Sequence, residues 1–168
     1  MSAKYDYPPL LAPGRHIMFL ADVKTLFVDP FPSHQRRLHL YQQFEQFVQE
    51  YLVAGIPCDV WLDGSFLTEN PEPKDIDTSV MIEPAVEVDL TQSQHELIDR
   101  TNDAYFGPDV DAFAYILKER GDPDYADEEL NPGRTWNETF GLEHSKQWLK
   151  GFGVLKLREN DVGLRICR

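Results

Sequence analysis

The sequence has 168 residues, of which 42% are hydrophobic and 27% are charged, a balance typical of one folded globular domain. Sixteen basic residues against 29 acidic ones give a net charge of −13, so counterion release cannot drive general DNA or RNA binding. The longest hydrophobic run, from Ala112 to Leu117, is too short to span a membrane, and the first fifteen residues lack the apolar stretch of a secretory signal. We therefore expect a cytoplasmic protein that does not contact membranes.

One long helical pattern dominates the first third of the chain. Three prolines within residues 1–14 predict an extended arm, and residues 16–27 have room for a short strand or helix. Apolar side chains then recur every three or four residues in the segment 34–54, which predicts an amphipathic helix. We predict that Ser33 is the N-cap of this helix and that Gly55 ends it. We expect the aromatic residues of this helix to lie in the core.

The middle of the chain alternates extended and helical segments. Three short segments rich in Val, Ile and aromatic residues predict strands. The sequence between the second and third of them has its apolar residues on one side, which predicts a helix. This order favours an α/β or α+β sheet domain. Of the two we expect the α+β class, with a small mixed sheet flanked by helices. The predicted strands are Cys58–Leu62, Ile76–Ile82 and Val110–Leu117, and the predicted helix is Thr91–Tyr105.

The last third of the chain differs in composition. Five of the eight residues 122–129 are acidic, which predicts a solvated surface loop, with a protein contact as the other interpretation. A helical pattern near residues 145–149 precedes two apolar segments, 152–157 and 162–167, that predict a β-hairpin. We expect a single domain that consists of an arm (1–32), a core (33–120) and a C-terminal extension (121–168).

The C-terminal extension ends on a basic segment. Residues 146–168 carry six basic side chains against two acidic ones, in contrast to the acidic remainder of the chain. Such a segment can bind phosphate or the end of an RNA chain, and the other interpretation is a set of ordinary solvated charges on an exposed hairpin. The basic residues are Lys146, Lys150, Lys156, Arg158, Arg165 and Arg168.

The stretch from Asp59 to Ile82 is the most informative about chemistry. Asp75 and Asp77 stand two positions apart at the start of a predicted strand, so their side chains lie on one face while Ile76 points into the core. Two carboxylates this close repel each other unless a cation lies between them. Oxygen ligands at this spacing suit Mg²⁺ or Mn²⁺, and Mg²⁺ often takes substrate phosphates as further ligands. The pair is therefore predicted to bind a metal ion.

Further residues extend this candidate site. Gly64 allows the backbone to approach a ligand closely, and the amides after Ser65 can hold phosphate oxygens if they begin a helix. Lys74, directly before the aspartate pair, can steer a triphosphate toward it. A third carboxylate comes from the last of the three strands. Asp111 is preferred because it lies inside the apolar run, and Asp109, which follows a Gly-Pro turn, is the alternative.

Gly64-Ser65, followed by Asp75-x-Asp77 and by Asp111 on a later strand, resembles the nucleotidyltransferase superfamily of the DNA polymerase β type. The longer pattern VWLDGSFLT…PEPKDIDTSV is also similar to short bacterial and phage proteins of that fold. The resemblance implies that Asp75, Asp77 and Asp111 bind two divalent metal ions. It further implies that Gly64 and Ser65 contact the phosphates of the nucleotide.

The resemblance covers residues 61–113 by motif and, more weakly, residues 8–156. It predicts a metal-dependent nucleotidyltransferase that moves a nucleoside monophosphate from ATP or another nucleoside triphosphate to a hydroxyl group of a protein, an RNA end or a small molecule. Mg²⁺ or Mn²⁺ is the expected cofactor. The alternative is a non-catalytic antitoxin or regulatory module of the same fold, which binds a toxin or another protein through the acidic loop.

Overall fold

A five-stranded mixed sheet with helices packed on one face is the framework of the chain. The computed structural model describes residues 7–33, 35–127 and 150–158. In these residues no helix is both long enough and apolar enough to cross a membrane. The strands are β1 (Gly14–Ile17), β2 (Cys58–Asp63), β3 (Ile76–Ile82), β4 (Val110–Ile116) and β5 (Gly151–Leu157); the helices are α1 (Leu20–Phe27), α2 (Gln35–Ala54), α3 (Pro84–Glu87) and α4 (Gln92–Asn102).

The strand order across the sheet is β1-β5-β2-β3-β4. Strand β2 is antiparallel to both of its neighbours, β3 and β5, whereas β1 pairs with β5 and β3 pairs with β4 in parallel. The sheet is therefore mixed, and the predicted α+β class with a small mixed sheet is confirmed at that level. The three strands predicted in the middle of the chain are present, with bounds that differ by no more than one residue.

The two faces of the sheet have different neighbours. Val60 and Leu62 of β2 pack with the helices in the main hydrophobic core, whereas Trp61 points to the opposite face. A second, smaller cluster covers part of that face; its members are Trp61, Met81, Phe152 and Val154. Successive residues of a strand point to opposite faces, so the same alternation holds along β3 and β4. The face without the helices is called here the second face.

Helix α2 supplies much of the main core, as its apolar pattern predicts. Its aromatic residues Phe44, Phe47 and Tyr51 are fully buried. The Tyr51 hydroxyl forms a hydrogen bond of 2.7 Å with the hydroxyl of Thr101 in α4, which satisfies both polar groups inside the core. Tyr51 and Thr101 thereby join the two main helices of this layer.

The N-terminal arm is extended where the structure describes it. The amide of Leu10 donates to the carbonyl of Leu67, and the amide of Glu69 donates to the carbonyl of Pro8, both at 2.9 Å. The arm therefore pairs with the segment that follows Gly64. Residues 16–27 were predicted to form a short strand or a helix. They contain both, the end of β1 and the whole of α1.

The C-terminal extension differs from the prediction where it is described. Strand β5 lies inside the sheet, between β1 and β2, and is not one arm of an exposed hairpin. The predicted second arm (162–167) and the predicted helix (145–149) lie outside the described residues. In the acidic loop, Asp122, Asp124 and Asp127 are exposed, as expected, and residues 128–129 lie outside the described range.

Arg37 of α2 is a fully buried cation that binds main-chain oxygen atoms. Its guanidinium group donates hydrogen bonds of 2.6–3.1 Å to four carbonyl groups, and its plane lies 3.6 Å from the ring centre of Phe31. Burial lowers the pKa of Arg37 to about 10, so the group stays charged at neutral pH. These contacts fix the loop that follows Gly64. The carbonyl groups belong to Phe27, Phe66, Thr68 and Asn70.

Replacing Arg37 with Met should lower the free energy of unfolding by about 3–5 kcal/mol, because several carbonyl groups lose charge-assisted donors at once. The matched control is Arg100→Met, which removes an exposed arginine paired at 3.4 Å with Glu50 and should change stability by about 0.5 kcal/mol. Urea unfolding of the three proteins measures the difference. Equal losses in the two variants would show that the Arg37 contacts do not support the fold.

Candidate functional site

Three aspartates lie side by side across neighbouring strands at one end of the sheet. Asp63, the last residue of β2, is in register with Asp77 of β3, and Asp77 is in register with Asp111 of β4. Partners on adjacent strands lie about 5 Å apart and point to the same face. Because Ile76 is fully buried in the main core, Asp77 points to the second face, as predicted. Asp63, Asp77 and Asp111 are called here the aspartate row.

Asp77, at the centre of the row, is electrostatically strained. Its pKa is raised to about 6, and burial is the largest cause. The negative charges of Asp75, Asp63 and Asp111 act in the same direction, whereas the positive charge of Lys150 opposes them. Ionised Asp77 therefore carries a free-energy penalty at neutral pH that a bound cation would reduce.

Gly64 lies directly against the Asp77 carboxylate. Its backbone has φ 82° and ψ −166°, a conformation essentially restricted to glycine. An added Cβ atom would overlap Oδ2 of Asp77. Glycine at this position therefore allows both the turn and the close contact with Asp77, whereas the predicted close approach to a ligand stays a prediction.

The segment after Gly64 is a short turn and does not begin a long helix. Ser65 begins a single 3₁₀ turn, Ser65–Leu67, and its carbonyl accepts hydrogen bonds from the amide and the hydroxyl of Thr68. A turn of three residues does not provide the N-terminal field of a helix. The condition that these amides begin a helix is met only by this short 3₁₀ turn, so phosphate binding by Gly64 and Ser65 stays a prediction.

The structure separates the two candidates for the third carboxylate. Asp111 is exposed and lies in the aspartate row. Asp109 pairs with Arg36 and with His39 of α2, each at 2.8 Å. The hydrogen bond from His39 is the largest cause that holds the pKa of Asp109 below its usual value. Asp109 is thus engaged by α2, whereas Asp111 is available beside Asp77.

The residues just before β3 are fixed from the same helix. The Arg36 guanidinium donates to the carbonyl of Pro73 at 3.2 Å and also to the carbonyl of Lys74. The side chain of Lys74 is exposed, and the next residue, Asp75, is half-buried. Arg36 therefore links the segment that precedes Asp75 to Asp109, which directly precedes β4.

Sequence reasoning missed two members of this cluster, Asp63 and Lys150. They form an ion pair, with 2.9 Å between Nζ and Oδ1, and their side chains are only 10% (Lys150) and 4% (Asp63) exposed. The alternation of polar and apolar residues in Asp59-Val60-Trp61-Leu62-Asp63 places Asp63 on the second face and was a usable signal. No such signal existed for Lys150, because its position depends on the pairing of β5 with β2. The interpretation of Lys150 as a solvated charge is wrong.

An open cavity of about 710 Å³ lies farther along the second face. Asp59, which lines it, is four residues from Asp63 on β2, or about 13 Å along the strand. Arg15 binds Asp59 at 2.7 Å and lies 5.0 Å from the ring centre of Trp61. The residues predicted from the sequence as site residues do not line this cavity. Its lining includes Arg15, Asp59, Trp61, Met81, Lys118 and Tyr125.

The aspartate row suits a metal ion that brings ligands of its own. Across the described residues, no three His, Cys, Asp or Glu side chains stand ready as a complete ligand set. Asp77 and Asp111 nevertheless offer adjacent carboxylates on one face, and the absence of a side chain at Gly64 leaves room for the Asp77 carboxylate. Mg²⁺ commonly binds one or two carboxylates together with substrate phosphates. The chemistry of the two carboxylates is therefore compatible with Mg²⁺ or Mn²⁺ that brings further oxygen ligands of its own.

Comparison with curated proteins and with solved structures finds no significant match. A protein-family model, by contrast, matches almost the whole chain, from residue 3 to residue 156. The match includes Gly64, the aspartate row and Lys150. The chain belongs to this family, which is described as a family of unknown function (DUF6932).

Proposed function

We propose that this protein is a metal-dependent nucleotidyltransferase with a core of the DNA polymerase β type. It moves a nucleoside monophosphate from a nucleoside triphosphate to a hydroxyl group of a protein, an RNA end or a small molecule. The observation that carries the proposal is the register of Asp77 with Asp111 beside Gly64, whose backbone lies against the Asp77 carboxylate. A Gly-Ser turn, an Asp-x-Asp pair and a later strand aspartate are thereby supported as parts of one site.

The proposed cofactor is Mg²⁺ or Mn²⁺, held by Asp77 and Asp111 with Asp75 beside them. When bound, such an ion neutralises phosphate charge and orients the reacting groups. Asp77 favours a cation for the electrostatic reasons given above, since burial and then the negative charges of its neighbours raise its pKa to about 6. The proposal places the triphosphate against Gly64 and Ser65, with exposed Lys74 near its path.

The residues of the chain have separate parts in the proposed reaction. The acceptor oxygen forms a bond to the α-phosphorus of the nucleotide while the bond from that phosphorus to pyrophosphate breaks. The hydroxyl proton passes to the carboxylate of Asp111, which is the exposed member of the row. Pyrophosphate then leaves. Positioning and charge neutralisation carry most of the catalysis in this class of reaction, so no nucleophilic side chain is required.

One observation favours the second candidate function, a non-catalytic binding module such as an antitoxin. Lys150 already neutralises Asp63 inside the site, so part of the aspartate row is compensated without a metal ion. The exposed acids Asp122, Asp124 and Asp127 would then provide the contact with a basic protein partner. This module would bind its partner in the absence of metal and nucleotide.

The two functions are separated by label transfer. The protein is incubated with Mg²⁺ or Mn²⁺, a cell lysate and a nucleoside triphosphate that is labelled on either the α- or the γ-phosphorus. Nucleotidyl transfer attaches the α label alone to an acceptor. Absence of α-label transfer with all four nucleotides and both metals would favour the binding module.

Asp111→Asn should abolish α-label transfer, because it removes both a metal ligand and the proton acceptor. Asp109→Asn is the matched control, since it makes the same chemical change two residues away on a carboxylate held by Arg36 and His39. We expect Asp109→Asn to retain transfer while its melting temperature falls. The reverse pattern of activities would assign the third carboxylate to Asp109.

Gly64→Ala should reduce transfer by about a hundredfold, because the new methyl group displaces the Asp77 carboxylate from its position. Gly107→Ala is the control: Gly107 also has a positive φ, 77°, but an added Cβ meets nothing within 4 Å. It should lose only about 1 kcal/mol of stability to backbone strain and keep its activity. Transfer rates and thermal melting of both variants measure the difference, and equal activity in the two would contradict a role for the Gly64–Asp77 contact.

Asp77→Asn should stabilise the fold more at high pH than at low pH. The folded-state pKa of Asp77 is about 6, above the ordinary value of 3.8, so the parent protein loses stability as the pH rises from about 4 to 6. The penalty is absent below the unfolded-state pKa and constant above the folded-state pKa. Between pH 4 and pH 8 the advantage of the variant in free energy of unfolding should grow by about 2 kcal/mol. Denaturant unfolding across this range tests it, and a constant difference would exclude the strained carboxylate.

A further inference from the structure

The ammonium group of Lys150 places a positive charge of the protein itself beside the aspartate row. It directly precedes β5, whose residue Gly153 is in register with Leu62 of β2, so the start of β5 lies at the end of β2 where Asp63 is found. The ammonium group pairs with Asp63 at 2.9 Å, and both side chains are almost completely buried. The charge of Lys150 also acts on Asp77, the central member of the row.

The backbone around Lys150 is firmly placed. An added Cβ atom at Gly151 would overlap the carbonyl oxygen of Ala12 in the N-terminal arm, and one at Gly153 would lie 2.9 Å from the sulfur of Met18. Strand β5 is also paired on both sides, with β1 and with β2. Lys150 therefore cannot leave Asp63 by a small shift of its strand.

We infer that Lys150 is a positioning residue that sets the metal affinity of the site by withholding Asp63 from the metal ion. With Lys150 present, a metal ion has the carboxylates of Asp77 and Asp111 as its ligands in the row, and phosphate oxygens of the nucleotide complete its shell. Metal binding is then weak without nucleotide and strong with it. The inference rests on the proposed metal site at Asp77 and Asp111.

The charges of the row predict an order of affinities. The three carboxylates and Lys150 together carry a charge of −2, which becomes −3 in Lys150→Met and −1 in Asp63→Asn. The double variant Lys150→Met/Asp63→Asn returns to −2 and leaves no buried charge without its partner, so it is the variant most certain to fold. Affinity for Mn²⁺ alone should be highest in Lys150→Met, intermediate in the parent and the double variant, and lowest in Asp63→Asn.

The experiment is a titration of the full-length proteins with Mn²⁺, in which free Mn²⁺ is followed by electron paramagnetic resonance. Lys150→Met should bind Mn²⁺ at least about tenfold more tightly than the parent, because a positive charge close to the ion has been removed. The matched control, Lys156→Met, removes the same charge from an exposed position on the same strand, about 20 Å from Lys150. It should change the affinity by less than about twofold, since exposed charges at that distance are screened.

Thermal melting supplies the second readout. Lys150→Met should melt at a lower temperature than the parent, and the double variant should recover most of the loss. If Lys150→Met does not fold, the double variant must bind Mn²⁺ more tightly than Asp63→Asn, because these two proteins differ only in the charge at position 150. The inference would be overturned if Lys150→Met and Lys156→Met bound Mn²⁺ with equal affinity. Equal affinity of the double variant and Asp63→Asn for Mn²⁺ would overturn it as well.

A parallel titration tests the proposed function separately. The parent is mixed with Mn²⁺ and a nucleoside triphosphate analogue that has a methylene group between the α- and β-phosphorus atoms. Binding of the metal-nucleotide pair by the parent, without tighter Mn²⁺ binding in Lys150→Met, would overturn the inference and leave the transfer proposal standing. Failure of the parent to bind the pair, with tight Mn²⁺ binding in Lys150→Met, would overturn the proposed function and leave standing only the effect of Lys150 on the metal affinity. A complete lack of Mn²⁺ binding in all of the proteins would overturn both.

Discussion

Two consecutive arginines at the start of α2 hold the segments on which the aspartate row depends. Arg37 binds four carbonyl groups and fixes the loop after Gly64, and Arg36 joins the segment before β3 to Asp109 before β4. A guanidinium group can do this because it has five donors in a rigid plane. Burial removes the hydration shell of Arg37, so release of the loop would leave an uncompensated charge in the core. These hydrogen bonds therefore restrain the loop, although it has no regular secondary structure beyond one 3₁₀ turn.

The electrostatics of the row explain why this rigidity matters. Like charges on adjacent strands repel each other, and the charges of the neighbouring aspartates add to the effect of burial in raising the pKa of Asp77. Lys150 offsets part of the repulsion through Asp63. The remaining electrostatic strain falls on Asp77, which together with Asp111 is proposed to bind the metal ion. Strain of this kind is typical of functional sites, where stability is given up for chemistry.

Local sequence patterns were sufficient for some features because short-range geometry decides them. The period of the apolar residues in α2 requires a helix, and the alternation around Ile76 sends Asp75 and Asp77 to the face opposite the core. Gly64 was recognisable because few other residues permit a turn with close backbone approach. The position of Asp111 inside the apolar run was also visible locally, whereas no local pattern indicates that Arg36 and His39 engage Asp109.

The sequence by itself determined the α+β class, the main helix, the middle strands and the face of the sheet to which Asp77 points. Only the tertiary structure decided which residues from distant segments meet there. The insertion of β5 between β1 and β2 brings Lys150 to Asp63, 87 positions earlier in the chain, and no local pattern specifies that pairing. Strand order depends on the packing of whole elements against one another, whereas helix and strand patterns depend on neighbours within a few residues. The position of Asp77 beside Asp111 could therefore be anticipated from the sequence, but the counter-charge of Lys150 on Asp63 could not.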